Sequence, residues 1–455
     1  MKKIISLILV VLMTLSLCVS AFAEDVMTVD NTLGFSSARV EKVDTSKMVN
    51  IVDFDKKPTE SAYKITTPEG LVKLSEAVDN FATFAGVTVY LANDIDMSGI
   101  TDFKPIGCDT EKGLNPAPTM FFGGTFDGQG NMIENLKVRS NDNATDVTDN
   151  FVVVALFGAN KDLTIKNLIL GPNCSFTYSG TSKGACVSAF CAKLNGASNR
   201  IENCYSMATV MGGEYTTAFA SRVNGTVTFV NSTNAGKVTG GGHVAGFSGY
   251  MGTGIYQNCL NAGDISGTYY TAGFAARHRN ASTFVGCINT GKINSSGYAG
   301  AIMSRTEVTY SITDCTNYGT LTGGRETGFA YVASGSKYTG SDFVLTGSED
   351  KAGTQFDIQL ETITPDYTPE PDKTEETTTV PEETTTEPET TTAPEATTTA
   401  PTDGETTVVA TDEESTTDSG DGEKKSGCSS TVANGLTMIL GTAMLTCLCC
   451  KKKKD

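Results

Sequence analysis

The chain contains no tryptophan and only two histidines, His243 and His278. Neither lies in a His-Glu-x-x-His sequence, so zinc-peptidase chemistry of that kind has no support. There are 13 cysteines, but only the terminal group Cys447, Cys449 and Cys450 is closely spaced, and no zinc site is read from them. Residues 186–330 hold few acids: Glu202, Glu214, Asp264, Glu307, Asp314 and Glu326. Glycosidases and lyases need carboxylates paired across a cleft, and Asp264 and Asp314 do not fall at equivalent positions. A net basic excess is missing too. The net charge is −18, but residues 366–423 alone carry 18 acids against one Lys, leaving the remainder close to neutral. That balance argues against nucleic acid as a partner.

What is present is a repeat. Cys204, Ser232, Cys259, Cys287 and Cys315 are separated by 28, 27, 28 and 28 residues, a fixed period that marks a repeat architecture. The pattern after each anchor reads Asn234-Gly236-Val238, Asn261-Gly263-Ile265, Asn289-Gly291-Ile293 and Asn317-Gly319-Leu321; the first copy has Ser206, Ala208 and Val210. Large apolar residues recur fifteen positions on, at Phe219, Phe247, Phe274 and Ile302, with Phe329 one place early. Another apolar column stands three positions before each anchor: Ile201, Phe229, Tyr256, Phe284 and Ile312. The runs are short, rich in β-formers and broken by Gly, Asn and Ser. Each unit is expected to make three short strands and three turns, one coil of a parallel β-helix; propeller blades need roughly 40–50 residues. Stacked coils would place equivalent residues in ladders. Asn is expected at a turn, bonding the next Asn, and Gly where the chain bends tightly.

Before the repeat, Lys2-Lys3, the apolar run 4–17 and Ala21-Phe22-Ala23 make a secretory signal peptide, 1–23. Residues 24–60 are polar and aperiodic, a loosely ordered leader. Thr67-Pro68-Glu69 signals a helix start, with Leu71, Leu74, Val78 and Phe81 on one face, as a lid over the first coil. The β-helix is assigned to 61–345. A Thr/Glu/Pro-rich stalk, 346–427, cannot bury apolar area and is expected to be disordered and extended. An apolar run from 432 to 450, followed by Lys451–Lys454, makes 428–455 a transmembrane anchor with a cytoplasmic Lys tail. The expected fold is thus all-β: a right-handed parallel β-helix with an N-terminal capping helix, a stalk and a C-terminal membrane helix. It would stand outside the plasma membrane of a bacterium, expected to be Gram-positive.

The phrases Asp94-Ile95-Asp96-Met97-Ser98-Gly99 and Gly124-Thr125-Phe126-Asp127-Gly128-Gln129-Gly130, with Leu156-Phe157-Gly158 and Ile165-Lys166-Asn167-Leu168, resemble bacterial surface proteins with GLUG-type repeats. The same segment accompanies the non-catalytic β-helical part of IgA-specific metallopeptidases. Gly246-Phe247 and Gly273-Phe274 stand where that family has Gly-Leu. The resemblance implies an extracellular β-helical module rather than a reaction. The tail also resembles Gram-positive sorting tails, without their Leu-Pro-x-Thr-Gly motif.

Candidate sites follow from the columns. Cys204, Cys259, Cys287 and Cys315 form either buried thiol ladders or disulfides, and stacked neighbours rarely offer disulfide geometry. Cys174, Cys186 and Cys191 lie off that column and could pair. Cys428 is a possible processing point. Asn234, Asn261, Asn289 and Asn317 are a structural ladder. Asp94 and Asp96 match the first half of a calcium loop, but its twelfth position is Pro105, and a turn is the simpler reading. Arg222, Tyr250, Arg277 and Arg305 recur at steps of 28, 27 and 28. With His278 beside them they would make a lateral stripe able to hold an acidic glycan or a host protein, through charge-assisted bonds and ring contacts. The bland alternative is a solvated ladder that keeps the surface soluble. The expected function is adhesion or ligand binding, without catalysis or cofactor; the alternatives are a β-helical carbohydrate-active enzyme and a structural envelope component.

Overall fold

Three positions before each anchor, the apolar column becomes the spine of the molecule. Tyr63, Val89, Phe126, Ile165, Ile201, Phe229, Tyr256, Phe284 and Ile312 are successive partners in parallel strands, and all are buried. The computed structural model describes residues 33–107, 120–140, 152–306, 310–324, 326–330, 343–346, 348–351 and 360–367, all within one unit, 1–378. These strands belong to a large parallel sheet, accompanied by nine-stranded and seven-stranded parallel sheets. The architecture is all-β, in the arrangement of a parallel β-helix.

The number of strands per coil varies and exceeds the expected three, because segments run together in some coils, as in Ala220–Val230, Ser248–Gln257 and Tyr298–Thr306, and separate in others. After Ile255–Gln257 of the spine come strands Leu260–Asn261, Ile265–Gly267, Tyr270–Ala272 and Ala275–His278, before Ser282–Val285 reopens the spine. A small residue followed by Phe, Ala189-Phe190, Ala218-Phe219, Gly246-Phe247 and Gly273-Phe274, separates the fourth and fifth segments in these coils. There Phe190, Phe219, Phe247 and Phe274 turn inward and stack face to face at 4.8, 4.5 and 5.0 Å. Val210, Val238, Ile265 and Ile293 fill the third sheet's inner column.

Two of the repeat's signature residues act differently from expectation. The ladder Asn residues lie in strands, and their amides run coil to coil: Asn234 donates to Asn261 at 2.8 Å, Asn261 to Asn289 at 2.8 Å and Asn289 to Asn317 at 2.7 Å. The left-handed backbone falls on the residue before each anchor, Asn203, Asn231, Asn258, Gly286 and Asp314, with φ between 48° and 62°. The repeated glycines are demanded by stacking rather than bending. A Cβ on Gly263 would lie 2.0 Å from the Gly236 carbonyl, and one on Gly291 2.0 Å from that of Gly263.

The helix forms at Pro68–Asp79, with the Thr67 hydroxyl accepting from Gly70 N. Leu71, Leu74 and Val78 enter the core. Phe81 does not join them: the helix has ended, and Phe81 takes φ 72° and is 61% exposed. Residues 33–60 of the expected leader pack against the coils. Val49–Asn50 pairs with the strand Ala62–Ile65, and Ile51 and Phe54 are core residues. Upstream of them the chain is a strap along the outside of the second sheet. Gly34 N binds Asn258 O, Phe35 N binds Thr233 Oγ1, Ser36 N binds Asn203 Oδ1 and Val43 N binds Gln129 Oε1. Leu360 to Tyr367 runs beside it: Ser37 N donates to Glu361, and Asp366 N to Asp94. Among the described residues no helix is long and apolar enough to cross a membrane. The expected signal peptide, the anchor at 428–455 and residues 368–427 of the expected stalk lie outside the described residues; the stalk's assigned start at 346 is corrected, because Glu349–Asp350 pairs with Thr316–Asn317 as a strand of the second sheet.

Candidate functional site

The fifth strand of each coil sets an outward side chain beside its equivalent in the next coil. Register pairs Lys193 with Arg222, Arg222 with Tyr250, Tyr250 with Arg277, and Arg277 with Arg305. The four expected residues therefore share one column, half-buried. Lys193 holds the same register one coil earlier but is buried, at 3% exposure, so it adds no accessible cation to the column.

His278 is not part of this column. It follows Arg277 on the strand, so its side chain points inward, and it is fully buried. Its Nε2 lies 3.2 Å from the Tyr256 hydroxyl, and Nδ1 meets Ser282 Oγ. Burial holds its pKa down at about 3. It is a neutral core histidine, and its assignment as a surface ligand residue is withdrawn.

A second outward column stands on the fourth strands: Tyr215, His243, Tyr270 and Tyr298, in register. Each lies eleven residues past an anchor, a period that the sequence offered and the reading did not use. Its rings pile at 5.0, 5.4 and 5.5 Å. The two columns meet. The Arg222 guanidinium lies 5.8 Å from the Tyr215 ring, and that of Arg305 lies 5.0 Å from Tyr270, whose hydroxyl accepts from its Nη1. Tyr250 is surrounded by Arg222 at 5.6 Å, Arg277 at 5.2 Å and the exposed Arg279 at 5.8 Å. Cation–π contact and burial of the stems hold these guanidinium groups in place. Burial also raises the Tyr270 hydroxyl's pKa to about 12, so it remains a hydrogen-bond donor at neutral pH.

Asp94 and Asp96 serve the fold. Asp94 Oδ1 accepts from Met132 N at 2.6 Å and Oδ2 from Asp366 N. Asp96 Oδ1 accepts from Asn135 Nδ2 at 2.7 Å and Ser98 N at 2.9 Å, and the Asn135 bond leads in lowering its pKa. These bonds make the turn reading the sufficient one; among the described residues no three His, Cys, Asp or Glu side chains converge as metal ligands. The thiols Cys174, Cys186, Cys191, Cys204, Cys259, Cys287 and Cys315 are all free and buried, so the disulfide alternatives for them fall. In the ladder, Cys287 N donates to Cys315 Sγ at 3.3 Å. Burial pushes the Cys174 and Cys186 thiols up to about 12, which leaves them un-ionised and inert. Cys428 and the terminal cysteines lie outside the described residues.

The geometry thus defines a parallel-stranded all-β protein with a cationic and aromatic outer face. No family model matches the chain, and no curated protein matches it. Among solved structures, the chain is similar to a proposed immunoglobulin A1 protease from Bacteroides ovatus, at 18% identity and a TM-score of 0.45, covering 64% of this chain and 84% of that one.

Proposed function

We propose that this is an exported, membrane-anchored bacterial surface protein whose β-helix binds acidic glycan through the paired columns. The observation that carries the reading is the in-register run Arg222, Tyr250, Arg277 and Arg305 against the tyrosines of the fourth strands. Stacking on a ring fixes the plane of a guanidinium. In this reading the coil is right-handed, the hand that parallel crossovers favour, and the helix Pro68–Asp79 closes the first coils as a lid. The chain is then a loose relative of the GLUG-type surface proteins, with no catalytic part. The segment after Tyr367 becomes the stalk, and 428–455 the anchor. Because Asp366 bonds to Asp94, the tether would leave the folded unit beside its first coils.

The test is a glycan array probed with residues 24–378, read for retention and for product release, alongside the variant Arg222→Ser/Arg277→Ser/Arg305→Ser. Acidic glycans should be retained, with binding weakened by salt and reduced at least tenfold in the variant. Unchanged capture by the variant would sink the assignment of this face. Cleavage of the glycan would make the protein an enzyme. Capture of a host protein in place of every glycan would replace the ligand class.

A further inference from the structure

The third parallel sheet starts one coil late. Its first strand is Lys137–Ser140, and among the described residues no strand pairs with it from the coil before. There the chain makes a short 3₁₀ helix, Met97–Gly99, and then runs irregularly from Ile100 to Phe103. A cavity of about 360 Å³ lies between this detour and the strand. That is the volume of about a dozen waters at liquid density, and it falls in the range of small-molecule sites. The cavity stands on a different sheet from the column of Arg222, Tyr250, Arg277 and Arg305.

Its lining is chemically mixed. Val138 is buried, so its neighbours Lys137 and Arg139 point outward, two positions and about 6.8 Å apart. Both are exposed, and among the described residues neither side chain is held in an ion pair or a hydrogen bond. The free edge of the strand adds donors. Ser175 N donates to Leu136 O and Ser179 N to Ser140 O. Those groups face the next coil, and the main-chain N–H groups of Lys137 and Arg139 therefore face the side of the cavity. The opposite wall carries the exposed carboxylate of Asp102 and the hydroxyls of Ser98 and Thr101. Asn135 stands between the walls with φ 57°, and its amide donates to Asp96 Oδ1 at 2.7 Å. Phe103, a core residue, and the half-buried Ile100 supply apolar surface.

These groups select by charge and by shape. Lys137 and Arg139 favour an anion. Asp102, with Asp96 behind Asn135, opposes a second negative charge, so a phosphate or a run of acidic side chains brings more charge than the site neutralises. One carboxylate, several hydroxyls and an apolar ring face match the lining: the carboxylate on Lys137 and Arg139, hydroxyls on Asp102, Ser98 and Thr101, and the ring face on Ile100 and Phe103. We infer that the cavity binds a single carboxylated sugar ring, as found at the end of an acidic glycan. The site stands apart from the columns and does not rest on them.

The experiment is a ligand-observed NMR titration of the full-length protein in detergent micelles with galacturonate. Galactose, inorganic phosphate and tetraglutamate are the comparisons. Three proteins are titrated: wild type, the cavity variant Lys137→Ser/Arg139→Ser, and the column variant Arg222→Ser/Arg277→Ser/Arg305→Ser. Galacturonate should bind at least tenfold more tightly than galactose, which lacks only the carboxylate. The cavity variant, changed at two exposed positions, should lose at least tenfold, and binding should persist in the column variant. Asp102→Asn should weaken galacturonate at least threefold while strengthening phosphate, whereas a bare anion site would gain affinity for both. Binding unchanged in the cavity variant would overturn the assignment, and its loss in the column variant instead would leave the proposed function standing without this site. Tighter binding of phosphate or tetraglutamate than of galacturonate would overturn the sugar in favour of a bare anion or an acidic peptide. Silence of galacturonate toward wild type would overturn the inference and leave the columns to the glycan array.

Discussion

Acid should destabilise this protein through one core residue. His278 is fully buried, with its ring between the Tyr256 hydroxyl and Ser282 Oγ and packed against Phe284. Desolvation holds its folded pKa at about 3, against an ordinary value of 6.5. Because the folded value is depressed, the unfolded chain takes up the proton first as pH falls. The contribution is therefore fully present above pH 6.5 and is lost progressively between 6.5 and about 3. Each pH unit in that window corresponds to about 1.4 kcal/mol, so lowering the pH to about 4.5 should remove about 3 kcal/mol. Surface carboxylates also titrate there, so wild type must be compared with His278→Met, which installs the side chain that its register partner Met251 already carries. Urea unfolding of residues 24–378, followed by circular dichroism at pH 7.5 and 4.5, gives the two stability differences. The variant should lose less than wild type by about 3 kcal/mol. Its loss of the Tyr256 bond is independent of pH and cancels in the comparison. Equal losses in the two proteins would refute the assignment of His278 as a buried neutral base.

Two further perturbations test the packing. Asn261→Ala removes the acceptor for Asn234 Nδ2 and the donors to Asn289 Oδ1 and Gly263 O, all buried. With about 1–3 kcal/mol for each group left unsatisfied, the variant should lose at least about 3 kcal/mol in urea unfolding; a loss under about 1 kcal/mol would show the ladder to be incidental. Phe35→Ala removes a ring stacked on Tyr205 at 5.5 Å in the strap. Hydrogen exchange at the Gly34 and Phe35 amides should accelerate at least tenfold while the spine amides stay protected, and uniform acceleration would mean that the strap is not a separable unit.

How much of this was legible depended on whether a residue obeys the period or answers to something outside it. Tyr256 and Phe284 could be placed from spacing alone, because parallel stacking makes equivalent positions neighbours wherever the step is regular. The strand count could not, because whether neighbouring segments merge, as in Ala220–Val230, or separate, as in Tyr270–Ala272 and Ala275–His278, is not written in the period. His278 was misplaced by proximity in sequence, since adjacent residues on a strand face opposite sides. Arg277 is outward, and its neighbour is therefore inward. The strap was illegible for a different reason. Its polar sequence has no period, and its order is imposed by contacts with Asn203, Thr233 and Asn258, more than 160 positions away. The stripe was legible as a column, but its contacts with the tyrosine column beside it were not. A periodic core fixes the position of every outward side chain as firmly as the inward ones, so a run of cations beside a run of tyrosines is held at coil spacing before any ligand arrives. Preorganisation of that kind lowers the entropy cost of binding.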